Sequence, residues 1–132
     1  MTITLTHEES EKHFHSALCN AYPEVRSAGG DIEWDENDYN EAKESLQKRT
    51  PAGEKICIED VLVEILRIGK KLTWNDNDGD GEYTRSIELK DVHERVQLMP
   101  VDHLMDMINE QDDAITGYLL LQQVFFNEQI FG

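Results

Sequence analysis

The stretch Asp76-Asn77-Asp78-Gly79-Asp80-Gly81 holds the residue types best suited to chemistry in this chain. Carboxylates at alternate positions, turned inward around a glycine, offer hard oxygen ligands to a cation of the calcium type, so Asp76, Asp78 and Asp80 are the candidate metal ligands. The same residues also suit a solvated hairpin tip, where Asp-Gly pairs supply the turn geometry. Elsewhere reactive constellations are scarce. His7, His13, His15, His93 and His103 include no i, i+4 pair, and His13 and His15 project to nearly opposite sides of a helix, so zinc is not expected. Ser16, Ser27, Ser45 and Ser86 have no evident base beside them, and neither a phosphate-cradling glycine loop nor a nucleophile elbow occurs. With 30% of residues charged, neighbouring carboxylates say nothing about acid–base catalysis, and a non-enzymatic role is expected.

The Asp76–Gly81 motif resembles the opening of an EF-hand calcium loop, which implies a bound calcium ion. The chain departs from that family at position twelve, where Ile87 stands with Glu88 one residue late, and in its flanks, which read as strands where the family has helices. Calcium in this loop therefore implies a geometry other than the EF-hand's. His93-Glu94 resembles the start of a zinc-protease helix, but Gln97 stands where the second histidine is needed.

Charge is the strongest compositional signal: 12 basic against 28 acidic residues in 132 give a net charge of −16. Such a field repels nucleic acid and anionic membrane and favours basic protein surfaces or cations. Carboxylates cluster at Asp31, Glu33, Asp35, Glu36 and Asp38, at Asp76 to Glu82, and at Asp106, Glu110, Asp112 and Asp113. The expected function is that of an acidic accessory protein that binds a protein partner with a basic surface, with a homo-oligomer as a further assembly. The alternatives are a nucleic-acid-mimicking inhibitor, whose fixed carboxylates occupy a site built for phosphates, and a calcium-binding module. Direct nucleic-acid binding, membrane binding and resident cofactors are not expected. Cys19 and Cys57, far apart and without Cys-x-x-Cys spacing, read as small buried thiols and not as a disulfide. The first residues lack a basic region followed by an apolar run, and a cytoplasmic protein is expected.

The chain from Pro100 to Gly132 is its most apolar part. A helix from Asp113 on to Phe131 is hydrophobic most of the way round and must be sheltered, by the domain's own core or by a partner that meets Phe125, Phe126, Ile130 and Phe131. Asp112 is the expected cap of this helix, and Ile115, Tyr118, Leu119, Gln122 and Phe126 share one stripe. Upstream, Ile58, Val61, Leu62, Ile65 and Leu66 recur at helical spacing before Gly69, marking a second core helix. Thr6 to Glu9 is a capping box that starts a helix reaching about Tyr22, with Pro23 to Gly30 as loop and Ile3 and Leu5 as a short preceding strand. Asp35 caps a thinly apolar helix, with Trp34 set to staple onto Tyr39. Lys70 to Trp74 and Tyr83 to Leu89 alternate as strands of a β-hairpin, and Leu89 to Met99 returns to helical spacing. The predicted fold is α+β and mostly helical, one domain over 1–132, with about five to six helices packed around a buried C-terminal helix and one β-hairpin over about 70–89.

Overall fold

Local signals in the sequence fix most of the helix starts in the computed structural model, which describes residues 3–77, 81–111 and 113–131. Helix α1 (His7–Ser27) opens with both halves of the Thr6/Glu9 capping box. In α2 (Glu36–Arg49), Asp35 accepts from the amides of Asn37 and Asp38, and Trp34 stacks on Tyr39 at 5.8 Å. Helix α3 (Ile58–Arg67) buries every residue from Val61 to Leu66 and ends at Gly69, whose φ of +85° is the left-handed geometry glycine allows. Helix α4 (Leu89–Arg95) runs into a 3₁₀ turn (Val96–Leu98), followed by α5 (Val101–Ile108) and α6 (Ala114–Phe126).

Strands β1 (Gly30–Glu33), β2 (Leu72–Asp76) and β3 (Arg85–Ile87) form an antiparallel sheet in that order. The β2–β3 hairpin is the expected one, with Leu72 opposite Ile87 and Trp74 opposite Arg85. Its supporting strand is not the one expected. Residues 3–6 form no strand; Leu5 is buried, and its amide donates to Gln97 Oε1 at 3.2 Å. The third strand is Gly30–Glu33, which pairs Ile32 with Trp74. It exists because α1 continues past Pro23 to Ser27. Proline forfeits one hydrogen bond in a helix interior, but the burial of Ala21 and Val25 on either side of it holds the last turns in place. The chain then reverses at Gly29 (φ +82°) and enters the sheet at Gly30. A Cβ on Gly30 would lie 2.5 Å from Trp74 Nε1, so the absence of a side chain is what lets the indole cover this strand.

The core lies between α1, α6 and the sheet. Gly117 brings α6 against α1: a Cβ there would sit 3.1 Å from Ala21 Cβ and 3.3 Å from Ala17 Cα. Phe14, Leu18, Leu120, Leu121, Val124 and Phe125 close the interior, each within 2% of full burial. Large side chains buried this completely contribute about 1.5–3 kcal/mol apiece relative to exposure. Helix α6 is shorter than the sequence suggested. It ends at Phe126 because Asn127 turns left-handed at φ 58°, and its cap is Asp113, which accepts from the Thr116 amide; the expected cap, Asp112, lies outside the described residues. Ile115, expected on the buried stripe, is 67% exposed, whereas its neighbours Thr116 and Gly117 are buried, Gly117 against α1.

Candidate functional site

The predicted calcium loop is described only in part. Asp76 ends β2, and its amide donates to Thr84 Oγ1 at 3.0 Å, whereas Asp78 and Asp80 lie outside the described residues. The apolar candidates at the chain end divide. Phe125 is 2% exposed and packs on Phe14 and Trp74 inside the molecule. Phe126 and Phe131 are half-buried against the Trp74 ring, at 4.9 and 5.8 Å between centroids. The tail that carries Ile130 and Phe131 is held by Gln122, fully buried, whose Oε1 accepts from both their amides at 2.8 and 2.7 Å.

Several clustered acids serve the fold. Asp31 accepts from the Tyr22 hydroxyl and pairs with Arg26, Asp35 and Asp113 cap helices, Glu33 accepts from Asn75, and Glu110 meets Lys12. Around Trp34 some of these acids gather with Asp38 and Glu59. This half-buried indole is a common wall of shallow depressions whose linings also include Asp31, Glu33, Asp35, Asp38 and Glu59. The most apolar of them, about 390 Å³, is floored by Leu18 and Leu62, walled by Tyr22 and Pro23, and topped by Ile58, which is 56% exposed.

A second cleft, of about 440 Å³, opens farther along the same face of α1, between the first half of that helix, the end of α2 and the start of α3. Its floor is ionic. Glu64, 4% exposed, pairs with Arg49 at 2.6 Å and Arg67 at 3.6 Å and accepts from Ser45 Oγ. Glu11 takes Arg67 Nε at 2.7 Å and His93 Nε2 at 2.9 Å. Burial alone would raise Glu11, but the hydrogen bonds from Arg67 and His93 outweigh it and hold the carboxyl below its ordinary value.

At the cleft's edge His15 Nε2 lies 2.7 Å from Asp60 Oδ1, and Asp60 Oδ2 accepts from the Cys57 amide at 3.1 Å. Burial opposes ionisation of Asp60 too, yet bonds from the Cys57 thiol and amide and from His15 bring it down. The Cys57 thiol is pushed up to about 11, by burial first and then by Asp60, and Cys19 is raised by burial and by Glu59 and Asp60. Neither is an activated thiolate at neutral pH. Both cysteines are free, but the expectation that they are buried is wrong: Cys19 is exposed and Cys57 half-buried, because α1 turns position 19 away from the face that carries Phe14 and Leu18. Sequence reading did not find this cluster, since His15 and Asp60 stand 45 positions apart and meet only when α1 packs on α3. The local half, an acid three residues after Cys57 at a helix start, is a legible capping pattern.

Fold and sites together define a mostly helical α+β protein, rich in acidic residues, with an aromatic core and the two clefts described along one face of α1. Comparison with known proteins finds no family model, no curated relative and no solved structure that the chain matches. Among the described residues, no helix is long and apolar enough to cross a membrane.

Proposed function

We propose that this is a non-enzymatic acidic accessory protein of the cytoplasm that binds a basic protein partner. The observation that carries the reading is the half-buried Trp34 beside the exposed Ile58, ringed by Asp31, Glu33, Asp35, Asp38 and Glu59. An aromatic anchor in a shallow apolar cleft, where five carboxylates outnumber the cations Arg26 and Lys71, suits an apolar side chain flanked by lysines or arginines. The C-terminal helix contributes less to such a contact than its composition suggests, because Phe125 is spent on the core and Phe126 and Phe131 on Trp74.

The test is capture of partners from a native extract on immobilised protein. Ile58 opens α3, where an acid is compatible with the helix dipole, so Ile58→Glu keeps the fold while placing a charge in the cleft. The expected partner is basic, is lost on Ile58→Glu, is weakened by Glu33→Lys, and is retained by Ile130→Asp. Loss on Ile130→Asp with retention on Ile58→Glu would move the anchor to the chain end. Binding that collapses in salt and is competed by DNA would favour the phosphate-mimicking alternative.

A further inference from the structure

We infer that His15, Cys57 and Asp60 form a binding site for a single zinc-class transition-metal ion. One ligand atom from each lies within 4.8 Å of the others, and all three side chains are half-buried. The donors come from separate elements that packing fixes against each other: His15 from the middle of α1, Cys57 from the cap of α3 and Asp60 from its first turn. Zinc bonds of about 2.0–2.3 Å to nitrogen, oxygen and sulfur require tetrahedral ligand atoms roughly 3.3–3.6 Å apart. The pair now at 2.7 Å, His15 Nε2 and Asp60 Oδ1, must open slightly on binding, and any pair near the 4.8 Å limit must close.

Donor chemistry selects the ion. A thiolate with an imidazole and one carboxylate suits zinc or cobalt, whereas calcium and magnesium take all-oxygen sets. On binding, the Cys57 thiol gives its proton to solvent and the sulfur becomes a ligand. Supporting contacts are in place. The Cys57 amide holds the second oxygen of Asp60, and the other ring nitrogen of His15 faces Cys19 Sγ at 3.9 Å. With three protein donors the fourth position falls to water, and His15 and Asp60 both line the 440 Å³ cleft that would admit it. Glu8, Glu11 and Glu54 in the same cleft balance Lys12, Lys55 and Arg67, so Asp60 itself and the net charge of −16 are what favour entry of a cation.

The simpler account of these residues is an ordinary capping acid paired to a histidine, and the two are separable. Full-length protein, stripped with chelator and kept under a non-thiol reductant, is titrated with Co²⁺ and then with Zn²⁺. The expected result is one equivalent of Co²⁺ with a sulfur-to-cobalt charge-transfer band in the near ultraviolet, bleached by Zn²⁺. Cys57→Ser, His15→Gln and Asp60→Asn should each abolish the band and weaken Zn²⁺ by more than about 100-fold, while Cys19→Ser retains it. Serine and asparagine still cap a helix, and circular dichroism checks that each variant folds. Absence of the band in the wild type, or zinc affinity unchanged by Cys57→Ser and His15→Gln, overturns the proposal and leaves a capping interaction only.

Discussion

The two sides of this molecule differ in what closes them over a shared apolar core. Around Trp74, rings from β2, α6 and the returning tail pack edge to face and stacked, with Tyr83, Phe126 and Phe131 closing over one another. Around Glu64 and Glu11, ion pairs and hydrogen bonds are added to the apolar contacts that α3 makes through Val61 to Leu66. Apolar packing is non-directional and indifferent to pH, so it can carry the stability of a chain whose net charge works against compaction. Ion pairs respond to pH, salt and bound cations, so the side they hold is the one that conditions and ligands can reach. The difference teaches where to look for function in such a protein: the side that carries the fold is closed, and both clefts lie beyond it.

Substitutions sharpen the contrast. Trp74→Ala removes the centre of the aromatic cluster and should cost about 3–5 kcal/mol in denaturant unfolding, the largest effect expected. A loss under about 1 kcal/mol would mean the rings are not the anchor. Glu64→Gln leaves Arg49 and Arg67 without their shared counter-charge. Because both arginines are about half exposed and can be rehydrated, the cost should be about 2–3 kcal/mol, below that of breaking a fully buried pair. Gln122→Leu keeps the volume but strands the Ile130 and Phe131 amides, with an expected cost of about 1–2 kcal/mol and faster trimming of the tail by carboxypeptidase.

Acid is the mildest probe. Glu11 is held below its ordinary value of 4.5 in the folded protein, so its contribution is fully present above that value and is lost as pH falls through the lower folded one. The stability difference between wild type and Glu11→Gln should therefore shrink on acidification through this range. A difference that stays constant would remove Glu11 from the ionic network.

How much was legible follows the same division. The Thr6 and Asp35 caps, the Gly69 terminus and the α3 stripe from Val61 on are short-range signals that the structure reproduces, while Ile58, expected on that stripe, is 56% exposed at the helix start. Strand β1 was not legible because it has a single apolar residue, Ile32, and its pairing with β2 depends on α1 overrunning Pro23. The end of α6 was misread because Phe131 is apolar in sequence yet reaches Trp74 from a returning tail, with Gln122 supplying the hydrogen bonds. His15, Cys57 and Asp60 were invisible as a set for the reason that makes them interesting: each has a bland local reading, and only the packing of α1 on α3 brings them together.

The central claim is that α6 and its aromatic partners are the most protected part of the protein, while the start of α3 and the segment before it open locally. Native-state hydrogen exchange of the isolated protein tests this directly. Amides of 117–126 should exchange only through global unfolding, and those of 54–60 should exchange faster, through sub-global opening. Fast exchange across 117–126 with protection concentrated at 54–60 would contradict the account.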